Sequence, residues 1–301
     1  MLPKKETGMQ YDVIIIGGSY AGMAAALQLA RARRRIMVID AGVRRNRFAS
    51  SSHGFLGRDG HAPGAIAEEA KQQLLAYRTL EWVEGKVSSA DRAKVGFRVT
   101  TEAGQAYDTK KLVLAVGVED VLPALPGLRE RWGKSVFHCP YCHGYELNEG
   151  DIGVLAVGPA SIHQALMLPD WGKTTFFTNN VFSPDAEQLA QMASRGASVE
   201  PTPVTEITGH ADLNLADGRI IPLAGVFTAP ATRPSSPLAE QLGCAMEEGP
   251  LGPFIHTDGM KETSVPGVFA CGDAARGAGN VSLAVGDGAM AGTAAHRSLM
   301  F

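Results

Sequence analysis

Residues 11–40, YDVIIIGGSYAGMAAALQLARARRRIMVID, constrain the fold of this chain more than any other stretch. The apolar run Val13–Ile16 leads straight into glycines. An alanine-rich stretch with helical periodicity follows, and a second apolar run, Ile36–Ile39, ends at Asp40. That order is β–α–β. Gly17, Gly18 and Gly22 occupy the first turn, and Ser19 stands where a strict G-x-G-x-x-G has its middle glycine. Small residues in such a turn let a pyrophosphate approach backbone N–H groups at a helix N-terminus, and an acid about 20 positions on holds a ribose hydroxyl. Asp40 follows Gly22 by 18 positions. A glycine-rich turn without a ligand is the competing reading. The strand before, the helix after and the acid at the next strand end argue against it.

A second β–α–β unit begins at Asp151, with a strand over Ile152–Val157, a helix over about Ser161–Leu168 and a strand over Thr174–Thr178. Its turn offers only Gly158, and Ala156 and Val157 stand where a dinucleotide wants glycines. The next strand ends in Thr178-Asn179-Asn180, with neither an acid for a ribose nor arginines for a 2′-phosphate. Further strands are expected at Lys111–Val116, Val204–Thr208, Gly225–Thr228 and Val268–Ala270, and a closing helix over Ser282–Leu299.

Between these units stands FHCPYCHGYE, with Cys139 and Cys142 two residues apart and His138 and His143 on their outer sides. The pair is open to four readings: half a zinc site, a haem attachment point, a structural staple or a redox couple. Zinc needs four ligands, and Cys244 and Cys271 are not paired in sequence. CPYCH matches the C-x-x-C-H of haem attachment, but no export signal is visible. Lys4 and Lys5 precede an apolar run too short for a signal core. No apolar run approaches the roughly 20 residues of a membrane span. With 20% charged residues and a formal net charge of −3, the composition gives no nucleic-acid surface. The basic runs Arg31–Arg35 and Arg44–Arg47 read as a solvated helix end and a loop. The expectation is a cytoplasmic chain of about two domains, in which a close cysteine pair is catalytic or metal-binding.

Four landmarks in order, IIIGGSYAG, LVLAVG at 112–117, the C-x-x-C and TSVPGVFACGDA at 263–274, resemble the low-molecular-weight thioredoxin reductase family over nearly the whole chain. The resemblance implies an α/β protein of two Rossmann-like, three-layer nucleotide-binding domains. Residues 1–119 and 229–301 would form a discontinuous FAD domain, and 120–228 an inserted NAD(P)-binding-like domain carrying the cysteines. It implies that Gly17, Gly18, Ser19, Tyr20, Ala21, Gly22, Asp40, Ala41, Asn46, Val87, Ala115 and Gly117 contribute to the FAD site, with Gly272 and Asp273 at the ribityl chain. Val281 and Ser282 would lie by the flavin ring. It makes Cys142 the flavin-facing cysteine and Cys139 the exchanging one, and it implies a homodimer.

Two departures from that family carry weight. His143 replaces the acid that follows the second cysteine, so a group titrating near pH 6.5 would manage the thiol proton. His53, in SSSHGFLGRDG, is a candidate second base. The degenerate second turn makes NADPH a doubtful donor. The combination of CPYCHGYE with that turn resembles dithiol oxidases of the gliotoxin and holomycin type, which pass electrons from a substrate dithiol to O2. The alternatives are a reductase of thioredoxin-like proteins or small disulfides, fed by NAD(P)H or ferredoxin, and a non-catalytic flavin–disulfide sensor.

Overall fold

The computed structural model describes residues 11–301; Lys4 and Lys5 lie outside the described residues. The chain forms two compact units. One comprises residues 11–47, Gly64–Glu119 and Thr232–Phe301, and the other Phe48–Pro63 and Asp120–Ala231. The breaks after Glu119 and Ala231 compare with expected breaks after 119 and 228. The segment Phe48–Pro63, expected in the FAD domain, falls in the second unit. Within that unit a side chain on Gly133 would strike the Phe48 Cβ at 2.7 Å. The segment also closes on itself, with Ser52 N–H donating to His61 O at 2.8 Å and Gly60 N–H to Ser52 O at 2.9 Å.

The first unit is built on β1 (Tyr11–Ile16), α1 (Tyr20–Arg31) and β2 (Ile36–Asp40). Its sheet runs in the order Leu80–Glu84, β2, β1, Ala106–Leu114, Phe97–Thr101, Val87–Arg92, with Val268–Ala270 paired to the far half of Ala106–Leu114. The pairs about β1 are parallel. Ile14, Ile15, Val38 and Val113 are fully buried, which is why these strands read as continuous apolar runs rather than alternating ones. The alanines of α1 have a partner that explains them. On the last helix, Val281–Arg297, a Cβ on Gly288 would come 2.0 Å from Ala21 O, and one on Gly292 2.5 Å from Ala25 O. Glycines four apart share a helix face, so the two backbones pack directly on each other.

The second unit holds a five-stranded parallel sheet ordered Ser198–Glu200, Gly172–Phe177, Glu149–Leu155, Gly225–Phe227, Val136–Phe137. A three-stranded antiparallel ribbon, Val204–Thr208, Asp212–Leu215 and Ile220–Ile221, accompanies it. Phe176, Phe177 and Phe227 are fully buried in its core. Among the described residues no helix is long and apolar enough to cross a membrane.

Candidate active site

The first turn is held by close backbone approach. Gly17 has φ +102°, and a Cβ there would lie 2.2 Å from Ala115 O; a Cβ on Gly22 would lie 1.8 Å from Gly17 O. Both positions therefore require glycine. Gly18 N–H donates to Asp40 Oδ1 at 3.0 Å, tying the turn to the end of β2. Ser19 is the N-cap residue of α1. Beside this turn lies a cavity of about 280 Å³ lined by Gly18, Asp40, Ala41, Arg44, Lys71 and Trp82, among others.

The cavity and its surroundings present buried polar atoms without protein partners: Trp82 Nε1, Arg44 Nε and Asn46 Oδ1. Buried polar groups are normally hydrogen-bonded. Orphans around a cavity at the carboxyl ends of parallel strands suit the adenosine and diphosphate half of FAD. Asn46 Nδ2 donates to Tyr20 Oη at 3.2 Å, so its carbonyl faces elsewhere. Arg45 pairs with Asp273 at 2.9 Å. Gly272 has φ +71° and lies against Ala21, where a Cβ would meet the Ala21 Cβ at 2.8 Å. Asn280 caps the last helix through Leu283 N–H at 2.8 Å, which sets Val281 and Ser282 in its first turn.

Val87 and Ala115 have their side chains in the core, 6% and 7% exposed, so only their backbones are available to a ligand. Gly117 has φ +70° and its carbonyl accepts from Ser235 N–H at 3.1 Å. Sequence reasoning missed Trp82 and Arg45. The run Arg44–Arg47, read as a solvated loop, was the available signal for Arg45; nothing local marks Trp82.

In the second unit Cys139 and Cys142 are disulfide-bonded, with Cα atoms 5.3 Å apart. The pair follows the carboxyl end of the edge strand Val136–Phe137, and buried Gln164 fixes that end by donating to His138 O at 2.7 Å. Cys139 caps a single turn, Pro140–His143, rather than opening a full helix, so the dipole available to a thiolate is that of one turn. Around it Tyr141 and Tyr145 are 71% and 84% exposed, and Tyr141 packs edge-on against Trp171 at 5.3 Å.

His143 lies in an aromatic and largely apolar setting. Its ring stacks on Phe137, centroids 4.4 Å apart. Burial, and to a lesser degree the neighbouring His53, push its pKa down to about 4. At neutral pH it is a neutral imidazole, able to accept a proton but not holding one to give. His53 shares this unit, with Nε2 3.5 Å from Glu146 Oε1 and Nδ1 3.5 Å from Asp59 Oδ2. The His138 carbonyl anchors the cysteine turn by accepting from Gln164. Cys244 and Cys271 are both buried free thiols, and burial pushes Cys271 up to about 12.

The second nucleotide-type turn differs from the first in its residues and in the length of its helix. Val157 N–H donates to buried Ser161 Oγ at 3.0 Å, and Pro159 has no N–H to give. The following helix, Ile162–Met167, has six residues where α1 has twelve. Asn179 and Asn180 are left-handed, and Asn179 Oδ1 accepts from Val204 N–H at 2.9 Å.

Comparison with known proteins identifies the family. The pyridine nucleotide-disulphide oxidoreductase family model matches residues 11–288. Thioredoxin reductase tcpT of Claviceps purpurea is 34% identical, with 96% of this chain and 94% of that protein covered. Thioredoxin reductase sirT of Leptosphaeria maculans is 31% identical, covering 94% and 92%. Among solved structures, an oxidoreductase from Agrobacterium tumefaciens is 61% identical with a TM-score of 0.95, covering 97% of this chain and 99% of that one. HlmI is 35% identical with a TM-score of 0.90, covering 98% and 93%. The two Rossmann-like units, the glycine turn and the cysteine pair thus stand together in an FAD-dependent disulfide oxidoreductase of thioredoxin reductase type, and the chain belongs to the pyridine nucleotide-disulphide oxidoreductase family.

Proposed function

We propose that this enzyme oxidises a small dithiol through Cys139 and Cys142, with O2 as the final acceptor and NADPH as a poor donor. The observation that carries this reading is the second turn. A dinucleotide pyrophosphate needs free N–H groups at a helix N-terminus. Here the Val157 N–H is committed to Ser161, and the helix behind it is under two turns long. Losing several charge-assisted contacts, at about 1.5–3 kcal/mol each, weakens binding by orders of magnitude. Electrons then enter at the disulfide itself. The exposed Tyr141 and Tyr145 offer flat apolar contact beside it, suited to a small ring-bearing dithiol.

The exchange balances in two steps. One substrate thiol loses its proton, its sulfur bonds to Cys139 Sγ, and Cys142 leaves as a thiolate. The second substrate thiol loses its proton, bonds to the first sulfur and releases Cys139. The substrate becomes a disulfide, and the cysteine pair takes up two electrons. Neutral His143 accepts the first thiol proton. Bound FAD, held by the Gly17–Gly22 turn, Asp40, Asn46 and Asp273, supplies the two-electron acceptor that lets the pair be used again. Homodimerisation, as in thioredoxin reductases, is part of the proposal.

The test is oxygen uptake by the FAD-loaded protein. Sustained uptake with dithiothreitol or an aromatic dithiol, and none with NADPH alone, supports the reading. NADPH-driven reduction of a thioredoxin-like protein without dithiol oxidation would replace it.

A further inference from the structure

Resting on the reading that Asp273 helps to hold bound FAD, we propose that Arg276, Asp287 and Lys261 are positioning residues that staple the loop 276–280 to the last helix and so keep the Asp273 carboxylate in its place. Asp287 is the anchor. It lies on the helix Val281–Arg297, is 8% exposed, and has a cation at each oxygen: Lys261 Nζ 3.0 Å from Oδ1 and Arg276 Nη1 2.8 Å from Oδ2. A buried carboxylate is unfavourable unless paired, and removing one partner of such a group is felt strongly. The anchor cannot slide, because the next residue, Gly288, packs against Ala21 O with no room for a Cβ.

Arg276 carries that anchor to the loop. Its Nη1 holds Asp287 while its Nε donates to Ala278 O at 3.2 Å, so one guanidinium ties the loop backbone to the helix. The next residue is Gly279, where a Cβ would come 2.1 Å from Asp273 Oδ1. The Asp273 carboxylate is thus lodged between the Gly279 backbone on one oxygen and the Arg45 guanidinium, at 2.9 Å, on the other. Asn280 closes the loop by capping the helix through Leu283 N–H. The carboxylate of Asp287 also stands near the turn that leads into Gly272 and Asp273. Burial first, and Asp287 second, push the Cys271 thiol up.

Lys261 supplies the third point of attachment. It sits in the tight turn Asp258–Glu262, where Asp258 Oδ1 accepts from Met260 N–H at 2.8 Å and from Glu262 N–H at 2.9 Å. Its φ of +66° is left-handed, a conformation that glycine adopts freely and lysine does not. The side chain that makes this position strained is the one that reaches Asp287. Three separate segments of the first unit therefore meet on one carboxylate: the turn before Val268–Ala270, the loop after Asp273 and the last helix. Groups joined in one ion-pair network act together, so loosening any of them frees the loop that backs Asp273.

The experiment uses the full-length, FAD-containing protein. The rate of FAD release is read from the rise in flavin fluorescence after dilution, beside the melting temperature. Wild type is compared with Arg276→Met, Arg276→Lys, Asp287→Asn, Lys261→Gly, Asp273→Asn and the double variant Arg276→Met/Asp273→Asn. Arg276→Met and Asp287→Asn should each speed release about tenfold. Arg276→Lys keeps a cation for Asp287 and should speed it only about threefold. Lys261→Gly relieves the left-handed backbone but removes the ion pair, and should speed release about threefold as well. The deciding comparison is the double variant. If Arg276 acts through Asp273, Arg276→Met adds less than about twofold once Asp273→Asn is present. The same factor with and without Asp273, or no change in release, means that the three residues only brace the helix and overturns the proposal while leaving Asp273 in its role. Release unchanged in Asp273→Asn alone removes the reading of Asp273 and this proposal with it. Should Asp287→Asn fail to fold, Arg276→Met and Lys261→Gly, which each leave Asp287 one cation, carry the same test.

Discussion

The two β-turn-α connections of this protein make a natural experiment in what a dinucleotide site requires. Both follow a parallel strand whose last four residues are buried. In the first, Gly17 and Gly22 allow backbones within 2.2 Å and 1.8 Å of where a Cβ would stand, and a twelve-residue helix follows. In the second, Gly158 carries no such demand, since a Cβ there meets nothing within 4 Å. The Ser161 hydroxyl fills the role that a ligand oxygen would take, accepting from Val157 N–H. The strands ending the two units differ in the same sense, Asp40 gripping Gly18 N–H in one and Asn179 turned to Val204 N–H in the other. In the second unit a turn N–H is satisfied internally, which is the observation behind the proposal that NADPH is a poor donor.

The largest effect expected is at the cysteines. Cys139→Ser and Cys142→Ser should each lower dithiol-driven oxygen uptake by more than about 10³-fold, because covalent exchange has no substitute nucleophile. The FAD content of both should match wild type. Retained turnover in either would detach the activity from the second unit. Next comes the contrast between turns. Gly17→Ala combines a disallowed φ with a backbone clash, costing about 3 kcal/mol or more and releasing FAD. Gly158→Ala should leave melting temperature and FAD content unchanged. Equal effects at the two glycines, read by thermal melts and by fluorescence of released FAD, would erase the distinction between the turns.

A smaller effect concerns acid. His143 has its folded pKa lowered to about 4 against about 6.5 unfolded. The unfolded chain therefore binds the extra proton first, and stability falls as pH drops from about 6.5 to about 4. The loss attributable to this group is on the order of 2 kcal/mol. His143→Phe, which can keep the stack on Phe137, should flatten that part of the melting-temperature profile between pH 7 and pH 5; an unchanged slope would place the acid sensitivity elsewhere. The smallest effect is Ser161→Ala, which removes one buried hydrogen bond and costs about 1 kcal/mol. It should not raise NADPH affinity more than a few-fold, because Pro159 and the six-residue helix remain. A large gain would mean that Ser161 alone blocks the site.

How legible these features were in the sequence follows from their range. The first βαβ unit is a local pattern, since strand, turn, helix and acid lie within thirty residues, and it reads directly. Local composition also exposes the poor second turn. The small residues of the last helix hinted at close packing, but their partner turned out to be α1, through Ala21 and Ala25. The interaction of Arg45 with Asp273 spans 228 positions, so the basic run Arg44–Arg47 shows a cation without showing its partner. Val87 enters the cofactor set by resemblance alone, and strand alternation turns its side chain into the core. The protonation state of His143 depends on its burial beside Phe137, which side-chain geometry decides.

The central claim is that electrons enter through the Cys139–Cys142 disulfide and not through the second turn. Its most direct test is stopped-flow bleaching of flavin absorbance without oxygen, comparing NADPH, NADH and dithiothreitol on the same FAD-loaded sample. The account predicts that the dithiol bleaches the flavin in wild type but not in Cys139→Ser or Cys142→Ser, and that micromolar NADPH or NADH bleaches it far more slowly. Rapid bleaching by micromolar NADPH, with none by the dithiol, would contradict it.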